Sequence, residues 1–199
     1  GCDTAYSQMA ADAVGIPVSD VHIVSTQDTD VTPFGLGAYA SRQTYIGGFS
    51  IQQTGQLLKE RILKYAQELT RMPVANLDLI DGKIVRVPDG RVLMTLGELA
   101  TEALYSMTHS EHITAESTYQ IKSNAYSFGC SFAEVEVDMK LCKVKVLRFM
   151  NVHDCGKLVN PKLAEAQVHG GMSLGLGYAL SEKLLFDEKT GRPPHANLP

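Results

Sequence analysis

The stretches CSFAEVEVDMK and CKVKVLRFMNV, residues 130–140 and 142–152, alternate apolar and polar side chains and meet at Lys140-Leu141. A period of two is the mark of a half-buried strand. So short a connection joins antiparallel neighbours only, because a parallel return needs a crossover of a dozen or more residues. ITAESTYQIK, residues 113–122, alternates in the same way, so a meander of antiparallel strands is expected. Around it, helical and strand-like segments follow one another without βαβ regularity. The expected fold class is therefore α+β, with helices packed on a mixed or antiparallel sheet.

The remaining elements follow from period and punctuation. Thr4–Val14 has apolar and small residues at helical spacing, with Gly15 and Pro17 as a stop. VHIVST, residues 21–26, is β-branched and predicts a short strand. The next stretch, QDTDVTPFGLGAYA, has turn chemistry throughout and is long enough to suggest a function. Arg42–Thr70 keeps near-helical apolar spacing interrupted by Gly47, Gly48 and Gly55. LDLIDGKIVRV carries Asp81-Gly82, a strong hairpin signal, and TLGELATEALY predicts a short helix. Asn160-Pro161 supplies an N-cap and a first-turn proline for a helix to about Ser181. KLLFDEKTGRP reads as a closing hairpin.

Charge excludes some functions. Lys and Arg number 18 against 22 Asp and Glu, a balance of −4, and the charges are interspersed rather than blocked. No basic face for nucleic acid or anionic lipid follows. No apolar run approaches the roughly 18 to 20 residues of a membrane span, and GCDTAYSQMA lacks the basic start of a signal peptide. Cys2, Cys130, Cys142 and Cys155 show no CxxC spacing, which fits reduced thiols. A cytoplasmic protein is expected, and both ends of the chain read as internal to a longer one.

Two glycine-rich segments carry the chemistry. In TPFGLGAYASR, Gly35, Gly37 and Ala40 match the spacing G-x-G-x-x-A ahead of a helix. A nicotinamide-binding turn would follow its strand at once and have an acidic partner about twenty residues on. Neither condition is met. Small residues still allow backbone N–H groups to approach an anion, the helix start adds positive potential, and Arg42 adds a bidentate donor. An anionic cofactor group is one reading of Gly35–Arg42, and a plain capping loop with Ser41 as N-cap is the other. The second segment, AEAQVHGGMSLGLGYAL, places Gly170, Gly171, Gly175 and Gly177 inside a helix, each at a cost of about 1 kcal/mol relative to alanine. Either the helix packs tightly on another backbone, or its first half lies against a flat ligand with Gln167 as a hydrogen-bonding neighbour. In NVHDCGKLVNP, His153, Asp154 and Cys155 lack further metal ligands at usable spacing, and a turn at Asp154-x-Gly156 accounts for them. Gln27–Asp30 fits a divalent ion or an Asx turn equally well.

STQDTDVTPFGLGAYASRQTYIGG, NVHDCGKLVNPKLAEAQVHGGMSLGLGYALSE and the opening GCDTAYSQMAADAVGIP together resemble the molybdenum-cofactor-binding subunit of the xanthine dehydrogenase family. That family includes purine-hydroxylating bacterial members and the large subunits of carbon monoxide and hydroxybenzoyl-CoA enzymes. The resemblance covers nearly the whole chain. It implies that residues 1–199 are part of a molybdopterin-binding domain, with subdomains at 1–110 and 111–199, and that molybdenum is held on the pterin without protein ligands. It further implies that Ala38, Tyr39, Ala40, Ser41 and Arg42 line the pterin and its phosphate or cytosine dinucleotide tail, Ala40 and Ser41 nearest the metal. Gln167, His169, Gly170 and Gly171 would border the cofactor from the other side.

The family hydroxylates a carbon beside nitrogen, or an aldehyde carbon, with a water-derived oxygen. Electrons leave through iron–sulfur clusters to FAD on other subunits or domains of an oligomeric enzyme. A purine-like molecule is the implied substrate. The family's catalytic glutamate lies in a G-E-P-like stretch that does not occur here, so no catalytic residue is expected in this chain and the fragment alone is expected to be inactive. Leu174 stands about where many members have a glutamine near the metal. The competing reading is a non-catalytic scaffold or assembly module that kept the fold.

Overall fold

A computed structural model describes residues 1–26, 28–32 and 35–194. The chain divides into two compact units, Gly1–Asn124 and Ala125–Pro199.

The first unit is built on a pair of helices. Helix α1 (Cys2–Val14) ends at Gly15, whose φ of 92° is left-handed. A Cβ at Gly15 would sit 2.1 Å from the Leu79 carbonyl oxygen, so both its conformation and its surroundings require glycine. Helix α2 (Gly48–Thr70) is entered through a π turn, Gln43–Gly47. The glycines that interrupt the apolar pattern mark where α1 crosses α2. A Cβ on Gly55 would lie 2.6 Å from that of Ala13, and one on Gly48 would lie 2.9 Å from the Met9 sulfur.

Against α2 lies an antiparallel sheet of β1 (Leu77–Ile80), β2 (Lys83–Arg86) and β3 (Arg91–Thr95), in that order. Asp81-Gly82 turns the first hairpin as expected, with both residues at positive φ. Strand β3 lies outside the sequence-level expectation and pairs across a bulge at Ile84/Val85. Helix α3 (Leu96–Tyr105) then opens with a capping box, Thr95 and Glu98 satisfying each other's backbone N–H. Val14, Ile62, Leu63, Tyr65, Ala66, Leu77, Leu79, Ile84, Leu99 and Ala103 form the core.

Two expected strands of this unit are not formed. Val21–Thr26 has no strand partner among the described residues, and β-branched residues make a strand only where a neighbour completes the ladder. ITAESTYQIK is extended, and residues 113–120 alternate half-buried and exposed, yet their partner is a helix. Along the π turn and α2, Tyr45 donates to the Ser123 carbonyl at 2.6 Å, Phe49 stacks on Tyr119 at 5.2 Å, and Thr54 meets Ser117 at 2.6 Å. Further on, Arg61 donates to the Thr114 carbonyl, and Tyr65 to that of His109 at 2.9 Å. The strap thus runs antiparallel to α2 along most of its length, and period two reports its buried side without naming the partner.

The second unit begins with the hairpin of β4 (Phe128–Asp138) and β5 (Lys143–Asp154), antiparallel as expected. Register passes from Glu134↔Arg148 to Val135↔Val146, which leaves Leu147 as an extra residue. The bulge exchanges the faces. Phe128, Phe132, Met150 and Val152 share one face near the open end, whereas Val135, Val137, Val144 and Val146 share the opposite face near the turn. Asn160 caps α4 (Pro161–Leu180) by accepting from the Leu163 N–H at 3.1 Å. The expected closing hairpin is reduced to one turn, with Asp187 N–H on the Arg192 carbonyl at 2.9 Å and Gly191 N–H on the Asp187 carbonyl at 2.8 Å. Pro193 and Pro194 follow and have no N–H with which to extend a ladder.

Candidate cofactor site

The loop before α2 has an unusual backbone. Ala40 and Ser41 both adopt left-handed φ, 52° and 55°, a region that non-glycine residues enter uncommonly and chiefly where the surroundings impose it. Arg42 returns to the right-handed region at φ −84° and ψ −20°. A left-then-right succession aims neighbouring main-chain N–H groups into one concavity, the form of an anion-binding nest. Gly37 contributes another positive φ of 93°, and neither Gly35 nor Gly37 has a described atom within 4 Å of where a Cβ would stand. Pro33 and Phe34 of this loop lie outside the described residues.

Arg42 closes the loop on itself. Its Nη1 donates to the Gly37 carbonyl at 2.9 Å, its backbone N–H donates to the Tyr39 carbonyl at 3.2 Å, and its guanidinium carbon lies 5.6 Å from the Tyr39 ring centre. That leaves most of the guanidinium's five donors uncommitted among these contacts. Ala38, Tyr39, Ala40 and Ser41 are exposed and Arg42 is half-buried. The structure thus brings the five predicted loop residues together as one small, bare, donor-rich surface. A strand–turn–helix nicotinamide site is not formed: a π turn follows the loop, and both sheets are antiparallel.

In the second unit, Gln167, His169, Gly170 and Gly171 are exposed on α4. Gln167, Gly170, Gly171 and Leu174 fall on one face by their helical spacing, while His169 lies about 200° round the axis from Gln167. There its Nε2 stands 3.9 Å from Glu165 Oε1. A Cβ on Gly170, Gly171 or Gly175 would meet no described atom within 4 Å. Close packing on a described backbone therefore does not explain these three glycines. The turn at Asp154-x-Gly156 forms as expected, the Asp154 carboxylate accepting from the Gly156 N–H at 3.0 Å with Gly156 at φ 76°. The Asp28 carboxylate accepts from the Asp30 N–H at 2.9 Å, the Asx-turn alternative for that stretch, while Gln27 lies outside the described residues. Among the described residues no group of three or more His, Cys, Asp or Glu side chains is placed to hold a metal ion. No described helix is long and apolar enough to cross a membrane.

Sequence reasoning missed Tyr6. From α1 its hydroxyl reaches the Gln43 carbonyl at 3.1 Å and also touches the Gln43 side-chain amide, one residue beyond Arg42. A tyrosine in an amphipathic helix carries no signal that distinguishes this contact from ordinary packing.

Comparison with known proteins identifies the family. The xanthine dehydrogenase molybdenum-binding subunit of Escherichia coli O157:H7 is 47% identical over 200 aligned positions, covering 100% of this chain and 26% of that subunit. The carbon monoxide dehydrogenase large chain of Hydrogenophaga pseudoflava is 30% identical over 189 residues, covering 94% of this chain and 23% of that one. Among solved structures, quinoline 2-oxidoreductase from Pseudomonas putida 86 superposes with a TM-score of 0.84 at 29% identity, over 99% of this chain and 25% of that chain. The chain thus spans about a quarter of the length of these relatives. The molybdopterin cofactor-binding domain family matches residues 1–199 throughout, and the chain belongs to that family.

Proposed function

We propose that the chain grips the pterin and phosphate end of a molybdenum cofactor within a xanthine dehydrogenase-like hydroxylase. The observation that carries this reading is the Ala40–Ser41 pair held in left-handed conformations and closed by Arg42. Strain of this kind, on the order of 1–3 kcal/mol per residue, persists where a site requires the geometry. Ser41 supplies a backbone N–H and Arg42 its guanidinium to an anionic group, Ala38 and Ala40 keep the approach free of bulk, and Tyr39 lines it beside the guanidinium. Gln167, Gly170 and Gly171 give a second flat, bare surface with one amide able both to donate and to accept, while His169 stays with Glu165.

When bound, the cofactor supplies the oxygen-transfer and two-electron chemistry for hydroxylating a purine-like heterocycle or an aldehyde carbon. This chain's own residues bind and orient it and contribute no general base. Iron–sulfur clusters and FAD on other subunits or domains, an oligomeric enzyme in the cytoplasm, and a cytosine dinucleotide form of the cofactor complete the proposal. Identity of 47% along the whole chain to a molybdenum-binding subunit favours cofactor binding over a scaffold that had lost it. Substituting Arg42→Ala in the native protein, expressed with a molybdenum supply, is expected to lower molybdenum and pterin content severalfold. Wild-type content measured by metal and pterin analysis would count against the anion contact.

A further inference from the structure

The loop's direction is set where it enters the helix, and Tyr6 grips both ends of that entrance. Its hydroxyl donates towards the Gln43 carbonyl at 3.1 Å and towards the Gln43 side-chain Oε1. A phenol has one proton to give. Both partners on Gln43, the backbone carbonyl and the side-chain Oε1, are acceptors, so the hydroxyl donates to one or the other, and either bond ties Gln43 to α1. At the other end of the turn, a Cβ on Gly47 would lie 2.2 Å from the Tyr6 oxygen and 2.8 Å from its Cζ, so the ring rests on bare backbone. Opposite, Tyr45 within the same turn donates to the Ser123 carbonyl at 2.6 Å and packs edge-on to Phe49. A π turn carries one residue more than the α-helix it enters and recurs at functional sites. Burial foremost, and then the neighbouring Cys2, push the Tyr6 phenol up, while Arg42 pulls it down, so the hydroxyl stays a neutral donor at neutral pH.

We propose that Tyr6 is a positioning residue: by holding Gln43 and Gly47 against α1 it fixes the π turn, and with it the direction in which Ala40, Ser41 and Arg42 present their donors. The proposal rests on the reading of this loop as a cofactor site. Tyr6→Phe keeps the ring on Gly47 and removes the hydroxyl. In the native protein with limiting molybdenum, cofactor content is expected to fall about fivefold, the factor carried by one net hydrogen bond. Amide exchange across residues 40–47 is expected to quicken while the β1–β2 amides stay as protected as before. Wild-type content with unchanged exchange, in a background where Arg42→Ala is depleted, overturns this proposal alone. Wild-type content in Arg42→Ala overturns the cofactor reading instead, and the exchange measurement then decides Tyr6's hold on the turn by itself. Gly47→Ala drives a methyl into the ring and should reproduce both changes; wild-type behaviour in that variant overturns the proposal even where Tyr6→Phe fails to fold.

Discussion

At the scale of residues, geometry rather than residue type decides what each group does. Arg42 and Arg86 are both arginines beside a turn, yet one folds back over its own loop and the other makes a fork. Arg86 Nε donates to Asp89 Oδ1 at 2.8 Å and its Nη2 donates to Oδ2. These hydrogen bonds hold the Asp89 carboxyl down, from an ordinary 3.8 to about 2. A carboxyl depressed on folding stabilises the fold above its unfolded pKa, and that contribution is lost as pH falls through its folded value. The window is therefore from about 4 down to about 2, and the pair is exposed, so the effect on stability is small. Carbon-detected titration should place the Asp89 midpoint near 2, and Arg86→Gln should return it towards 3.8; a midpoint already near 3.8 in the unsubstituted protein removes the fork from the account. The arginine of the cofactor loop was legible from its place after a run of small residues. The left-handed pair before it was not, because Ala and Ser carry no preference for that region.

At the scale of elements, caps and periods were read reliably and partners were not. The Asn160-Pro161 start of α4 and the Asp81-Gly82 turn are local chemistry, satisfied within a few residues, and both form as expected. Helix α3 shows the same economy: Glu98 is held below its usual range by the Thr95 N–H first and the Thr95 hydroxyl second. Thr95→Ala removes one half of that box and should cost about 1 kcal/mol, read as a lower unfolding midpoint. An unchanged midpoint would mean that the α3 terminus draws its stability from Leu99 and Ala103 alone. ITAESTYQIK is the instructive failure. Its alternation is real, but a side-chain period reports which face is buried, not what buries it, and here α2 takes the place of a third strand. The β4–β5 hairpin shows the opposite limit. Its pairing was legible, whereas the exchange of apolar faces at Leu147 depends on where one unmatched residue is accommodated.

At the scale of the whole molecule, burial is unevenly shared. Leu79, Ile84 and Leu99 are fully buried in the first unit, whereas among the described residues of 125–194 none is buried and Phe128, Phe132, Tyr178 and Phe186 are exposed. A two-stranded ribbon with one helix has little apolar surface sequestered to oppose opening. Hydrogen exchange on the 199-residue chain should therefore find α2 and β1 strongly protected and β4, β5 and α4 exchanging much faster; equal protection in the two units would contradict this distribution. By itself the sequence determined the α+β class, the four α-helices, the β1–β2 and β4–β5 pairings, and the small-residue surfaces at Gly35–Arg42 and Gln167–Gly171, since each rests on local propensity, period or the absence of a side chain. Only the tertiary structure decided that residues 113–120 lie on a helix, that Ala40 and Ser41 turn left-handed, and that Tyr6 holds the turn behind Arg42. The first and third depend on contacts between segments tens of residues apart, and the second on a backbone geometry that neither residue prefers, so the free energy comes from what meets and not from what each segment prefers alone.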